Sequence, residues 1–529
     1  MAWFAPYVAL ILSFHLQPGS LGRISFPTSG PPAAQTHFER GVLLLHNFEY
    51  RQAREQFRAA QQVDRSFAMA YWGEAMTYNE PIWFGQDADA ARAVLKRLPV
   101  RAPTDRERAF IDAVEVLYGD GVKEERDRRY ATSMRRLHAR YPDDHEAAAF
   151  HALALLGTAH GGRDFRIYMR AAAIAEAVLQ DNPNHPGALH YAIHAYDDPI
   201  HAPLALRAAR RYADVAPAAA HALHMPSHIF VALGAWDEAA RSNEAAWDAS
   251  QNRPPVDAGG YHALWWLQYA YLQQGRVADA RRVLETMERM AGAPTTPLVT
   301  FHLLQMRALY SVETGQAYAA GIDPSGLDLS AQATHFFVGG SDALNNGRRQ
   351  DAEQALTALR GVQRLEPTRQ APDGHAHPVD VAAAAIMERQ LAALLLLADG
   401  QSQAAIDLMK EATALEDKTP YEFGPPMPPK PAHELLGEML LSLERPDLAR
   451  VQFELALLRA PRRALSLLGL ARSFEQSGNT AEARATYSEL EEMWGRADPD
   501  IRNALEQSLR RLRTRSGRQS ATDVPRSPS

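Results

Sequence analysis

The chain of 529 residues contains no cysteine. Disulfides, thiolate metal sites and cysteine nucleophiles are thereby excluded, and any metal has to be held by His, Asp or Glu. Alternating apolar and polar runs of the strand type are nearly absent, which leaves an all-helical fold. There is no Gly-rich phosphate loop, no Gly-x-Ser-x-Gly elbow and no His-Glu-x-x-His helix. Gly161-Gly162 and Gly259-Gly260 are too short to cradle a nucleotide and read as turns. Catalysis is therefore not expected unless a metal supplies it. Charge of one sign is also lacking: a net charge of -7 with 22% charged residues gives no electrostatic reason to expect nucleic acid as a partner. Long apolar runs are scarce. Trp3 to Leu16 has the length of a signal-peptide core and is too short to span a membrane, and no transmembrane helix is expected after it. With small residues at Ser20-Leu21-Gly22, residues 1–22 read as a candidate signal peptide, although no Lys or Arg precedes the apolar run. An exported chain, periplasmic or extracellular, is the expectation; a cytoplasmic one is the alternative.

What is abundant is alanine-rich sequence with apolar spacings of three and four, the helix period. Near the C-terminus Gly437, Ala449, Phe453, Ala456 and Pro461 are followed by Ala471, Gly478, Ala483 and Tyr487. Ala449 to Ala483 is a step of 34 residues, as is Phe453 to Tyr487. Small residues let two helices approach closely, and the aromatic fills the gap between units. The same register fits Gly41, Ala53, Phe57 and Ala60, then Tyr71, Ala75 and Tyr78. It returns at Ala205 with Pro217, at Gly234-Ala239-Ala246, at Gly275-Ala280, at Gly347-Ala352 and at Gly400-Ala405-Ala412. In these residues the chain resembles the tetratricopeptide repeat family, and within it a bacterial exported-type subgroup of unclear activity. The resemblance implies an α-solenoid of stacked antiparallel helix pairs. The expected organisation is a linker at 23–35, repeats over 36–415 that are irregular around 80–180, a Pro-rich strap at 416–432, a C-terminal pair of repeats at 433–512 and a disordered tail at 513–529. A Pro/Gly-containing loop from Pro367 to Asp380, with His375 and His377, is expected to join successive helix pairs.

Twelve of the twenty histidines fall between His138 and His262. Two pairs stand out: His190/His194 and His224/His228 are each spaced i, i+4, and the second pair follows the first by 34 residues. By the family resemblance these are repeat positions 5 and 9, on the concave, ligand-binding face. His221 and His262 then fall at position 2 of successive units, Trp265 and Tyr269 at positions 5 and 9, and Trp72 and Met76 at the equivalent groove positions of an earlier unit. Asp198 continues the His190, His194 stripe at i+8. Imidazoles at i, i+4 on neighbouring helices about 8 to 10 Å apart can converge on one cation, and neutral imidazole suits Zn, Cu, Fe or Ni. The candidate metal ligands are thus His190, His194, Asp198, His224 and His228, with Asp197 or Asp198 as a partner that orients a ring. Trp72, Met76, His221, His262, Trp265 and Tyr269 are the candidate ligand-groove residues. Pro226, between His224 and His228, interrupts the expected helix: either it kinks there or it starts near Met225. His145, His151 and His160 lack the spacing and read as structural. His185 is expected in an inter-repeat turn and His201 in the loop after Asp197-Asp198-Pro199.

Three readings of the histidines remain open at this level: a scaffold whose concave groove binds a protein, peptide or small ligand; a metal-binding protein or metal-dependent enzyme; and structural packing.

Overall fold

A computed structural model describes residues 20–252, 256, 258–292, 296–365, 378–421 and 423–522. The apolar run expected to direct export, the His375/His377 loop and the final seven residues lie outside the described residues. Successive helices pair across short turns, as in Pro32–His46 with Tyr50–Val63, Pro186–Tyr196 with Ala202–Val215, and Ala464–Gln476 with Thr480–Met493. The result is a solenoid of tetratricopeptide-like helix pairs. Its only described strands, Asn79–Glu80 and Gly85–Gln86, form a small hairpin. That hairpin separates the helices Ala68–Met76 and Ala88–Leu95, which breaks the repeat period at the start of the irregular region.

A three-residue device recurs at the two ends of the stack. The Phe57 ring is fully buried, and a Cβ built on Gly41 or Gly73 would meet it at 2.7 and 2.2 Å. Phe453 sits between Gly437 and Gly469 in the same way, at 2.8 and 2.2 Å. The Phe lies midway between its two glycines in sequence in both cases, so one aromatic on an outer helix is wedged against two inner helices. Close packing of this kind has no room for one more carbon.

The inner helices Ala68–Met76, His145–Leu156 and Pro186–Tyr196 are buried on nearly every side, whereas the outer helix Phe165–Asp181 shows one buried stripe. All eleven residues of Pro186–Tyr196 are buried, but only Ala171, Ala172, Ala175 and Val178 are buried in the neighbouring outer helix Phe165–Asp181. A helix buried all round needs cover on the face a solenoid normally leaves open. Part of that cover comes from the N-terminal segment, expected to be a linker. Leu21 and Phe26 are buried, Gly22 lies against Pro186, and the Ala218 and Arg23 amides donate to Ser20 and Asn184 carbonyls across the segment.

The solenoid also closes on itself. Trp236 Nε1 donates to the Arg462 carbonyl at 2.9 Å and Trp494 Nε1 to that of Gln273 at 3.0 Å. Between them the buried Arg463 pairs with Glu434 at 2.8 Å and Glu313 at 2.6 Å. Residues 417–431 run from the helix Ser402–Glu416 to the helix Ala432–Ser442, and on the way Pro420 reaches Gly162 and Gly424 reaches the Trp266 ring.

Within the helix Pro378–Ala398, the 20 residues Val379–Ala398 are long and apolar enough to cross a membrane by length and composition. Half of it is buried within the solenoid, so its apolar surface is in part used by packing against neighbouring helices. The last helix is Pro499–Thr522.

The Gly469→Ala variant is expected to lose about 1–3 kcal/mol of stability through overpacking against Phe453, outweighing a helix-propensity gain of about 1 kcal/mol. Thermal unfolding against the exposed control Gly478→Ala would separate the two effects poorly, because Gly478 has a φ of +80°. Gly361→Ala, on the helix Arg349–Leu365 where an added Cβ meets nothing within 4 Å, is the better reference.

Candidate metal centre

The histidines of two adjacent repeats meet in the interior. His190 and His194 come from the helix Pro186–Tyr196, which Pro186 opens and the His185 side chain caps by accepting from the Ala188 amide. Pro226 divides the next inner helix into Ala220–His224 and Pro226–Ala232, so the chain restarts there instead of kinking through. His221 and His224 end up on the first piece and His228 on the second. The break does not scatter them: His224 Nε2 and His228 Nε2 are 3.1 Å apart, and His221 Nε2 and His190 Nε2 are 3.2 Å apart. The His194 and His228 rings lie 5.1 Å apart, and the His262 ring is 4.8 Å from that of His224.

The opposite nitrogens are engaged by acceptors that carry no proton. His190 Nδ1 donates to the His46 carbonyl at 2.7 Å. His224 Nδ1 donates to Asn243 Oδ1 at 2.6 Å, and the Asn243 amide is oriented by its own donation to the Ala239 carbonyl at 2.8 Å. His228 Nδ1 and His194 Nδ1 both donate to Asp197 Oδ2, at 2.8 and 3.3 Å. In a neutral imidazole only one nitrogen carries a proton. The Nε2 atoms of His190, His194, His224 and His228 are then bare lone pairs. His221 can donate to His190, so that pair closes as a hydrogen bond. The His224/His228 pair has no proton to share, and His194 Nε2 is buried without any partner.

The rings of His190, His221, His224, His228 and His262 are held neutral. Burial, reinforced by neighbouring imidazoles, pushes His190, His221, His224 and His262 well below the usual histidine range. Burial lowers His228 to about 4, against the opposing pull of Asp197. For Asp197 burial acts upward, but the buried Arg163 and the two imidazole donors outweigh it and hold the carboxylate ionised. Aromatic rings close the cluster. His228 is stacked between Trp266 at 4.4 Å and Phe423 at 5.0 Å, and Phe48 lies 4.2 Å from the His190 ring centre.

A second polar cluster nearby makes an instructive contrast. Glu146 accepts from His46 Nε2 at 2.7 Å and from His185 Nε2 at 3.2 Å. His46 Nδ1 accepts from the Tyr191 hydroxyl at 2.8 Å and His185 Nδ1 from the Ala188 amide at 3.1 Å. Every proton there has a partner, so the triad is satisfied as hydrogen-bonded structure even though its three side chains could geometrically hold a cation.

Several sequence expectations are corrected. Asp198 does not continue the histidine stripe, because the helix ends at Tyr196; its carboxylate binds the His201 ring and the Ile200 and His201 amides. Asp197 takes its place beside the histidines. Trp72, expected in the groove, is core, packed edge-on against Phe26, Phe110 and Phe150. Met76 is core as well, beneath the Tyr130 hydroxyl. Tyr269 is buried, and its hydroxyl accepts from Arg463 at 3.2 Å. Trp265 does reach the histidines, with its ring 6.0 Å from that of His262. Arg163, Asn243, Trp266 and Phe423 were missed; a lone Arg, Asn or aromatic carries no spacing signal. His46, Phe48 and the strap are remote in sequence from the cluster they complete.

The buried pairing predicts that Arg163→Met costs about 3–5 kcal/mol, since it leaves Asp197 charged and unpaired; urea unfolding checks this. Glu146 offers a pH test. Burial acts to raise it, but His185 and His46 lower it to about 2 from 4.5. The stabilisation from its charge is complete above pH 4.5 and disappears as the pH falls toward 2. The stability gap between the native chain and Glu146→Gln is expected to narrow across that interval.

No family model and no curated protein matches the chain. Among solved structures it is similar to the crystal structure of the APC/C hetero-tetramer Cut9-Hcn1, at 13% identity over 90% of this chain and 76% of that one, with a TM-score of 0.36. It is similar also to yeast Tom70, at 13% identity over 93% and 97% of the two chains, with a TM-score of 0.35. A tetratricopeptide repeat protein from Parabacteroides merdae is similar over 55% of this chain and 98% of its own, at 14% identity and a TM-score of 0.29. The tetratricopeptide-like character of the chain rests on its own helix pairs and their packing.

Proposed function

We infer that this solenoid is a metal-binding protein whose centre is the interior histidine cluster. The observation that carries the reading is the set of Nε2 lone pairs on His194, His224 and His228, which are buried, aimed inward and have no available proton. Unpaired buried acceptors are costly, and bound metal removes that cost by accepting these lone pairs. Imidazoles whose remaining N–H is held by a carboxylate, a backbone carbonyl or an amide oxygen are the arrangement that orients ligating histidines. Zn, Cu, Fe and Ni all accept such donors. The protein or peptide groove expected from the sequence is less favoured at this place, because Phe423, Phe48 and Trp266 fill the space a peptide would need.

Partner binding is a second reading and belongs to another surface. Leu448, Val451 and Leu458 on the helix Pro446–Arg459 are 40 to 67% exposed on one face. Export is part of the proposal, and N-terminal sequencing of the mature chain decides it.

Untagged native protein is expected to carry a stoichiometric transition metal by elemental analysis. The double variant His194→Ala, His228→Ala, verified as folded by circular dichroism, is expected to lose it; retention of metal by that variant, or a native chain that neither contains nor takes up metal, overturns the reading. Phe423→Ala is expected to keep the stoichiometry but to surrender metal to a chelator at least several times faster, because it opens one wall beside His228.

A further inference from the structure

The histidines divide into two triplets. His190, His194 and His221 can each present one nitrogen within 4.8 Å of the others, and so can His224, His228 and His262. The triplets adjoin: His194 faces His228, and the rings of His221 and His224 are 5.9 Å apart. Asp197 lies at the seam, but Oδ1 is taken by Arg163 and Oδ2 by the two imidazole donors, so it orients the rings without being free to ligate. Six imidazole nitrogens are left, with no anionic ligand among them.

Spacing and charge narrow the occupant. With metal–nitrogen bonds of about 2.0–2.1 Å, the nitrogens of a trigonal or tetrahedral set stand about 3.3–3.6 Å apart by simple trigonometry. The observed 3.1 and 3.2 Å need to widen by only a few tenths of an ångström. Two divalent ions side by side repel four times as strongly as two monovalent ones at the same separation, and here no bridging carboxylate offsets the repulsion. Cuprous ion carries a single charge and is satisfied by three neutral nitrogen ligands.

We propose that the two triplets form a dinuclear copper centre, with one cuprous ion in each, that binds dioxygen between the ions. The proposal rests on the metal-binding reading above. On binding, each copper gives one electron to dioxygen; the O=O bond becomes the single bond of a peroxide dianion and both coppers become cupric. Two Cu(I) and dioxygen carry a total charge of +2, and two Cu(II) with peroxide carry the same. The buried site therefore accommodates the oxidation without a proton or an external anion, and release of dioxygen returns both electrons to the metals. The way in is the His262 side, where the ring is half-buried, and the rim formed by His221 beneath the partly exposed Trp83. The aromatic walls elsewhere suit a diatomic ligand and exclude a bulky one.

The test is an anaerobic titration of metal-free, full-length protein with Cu(I) in the presence of a competing chelator. Two tightly bound equivalents are expected, falling to one in His221→Asn and in His262→Asn, whose side chains are the least buried of the six. On exposure to dioxygen the loaded native protein is expected to take up one O2 per two coppers, to gain a peroxide-to-copper charge-transfer band and to stay silent in electron paramagnetic resonance. Either single variant is expected to lose that band. One equivalent of copper in the native protein overturns the dinuclear centre and leaves the metal-binding reading standing, whereas no uptake of copper or of any other transition metal overturns both. Two equivalents that oxidise to separate, resonance-visible Cu(II) ions, or preferential filling by two zinc ions, overturn the dioxygen site.

Discussion

The carboxylate of Asp197 is the constraint on which the centre depends. It is buried beside Arg163, which keeps it charged, and one of its oxygens accepts from both His194 and His228. That single acceptor fixes the orientation of two imidazoles from two different repeats and turns both Nε2 atoms inward. Asn243 and the His46 carbonyl do the same for His224 and His190. A charged group this deep is tolerated because its counter-ion is buried with it, and a half-satisfied network at this depth would be worse than an apolar core.

The rest of the fold makes the depth possible. A solenoid ordinarily leaves its inner face to solvent, where six histidines would titrate near their usual value and bind water. Here the N-terminal segment, the strap bearing Phe423 and the docking of the C-terminal repeats around Arg463 cover that face. Burial then keeps the rings of His190, His221, His224, His228 and His262 neutral, and neutral imidazole is the form that coordinates a metal. The contrast with the Glu146 triad is one of proton count. There each nitrogen finds either a donor or an acceptor, so depth creates no demand; among His194, His224 and His228 it does.

The helical class and the repeat register were legible because both rest on local periodicity. Small residues and Phe57 or Phe453 at fixed spacing mark where helices must approach closely, and the structure uses them so. The 34-residue offset of the two histidine pairs was equally legible, and the pairs do meet. The stripe argument failed at Asp198 because a helix end is set by the following Asp-Pro turn, and one residue of slip exchanges Asp198 for Asp197. Trp72, Met76 and Tyr269, given groove positions by the resemblance, are buried: family position assigns a face, but whether that face is open depends on what packs over it.

The sequence by itself determined that the chain is helical, that its units repeat, that thiolates are excluded and that imidazoles cluster near two adjacent units, since composition and short-range spacing carry those facts. Only the tertiary structure decided which nitrogens point inward and which are protonated. Those outcomes depend on Arg163, Asn243, the His46 carbonyl and Phe423, partners that reach the cluster across as many as 229 residues of chain, and no local pattern encodes a contact of that range.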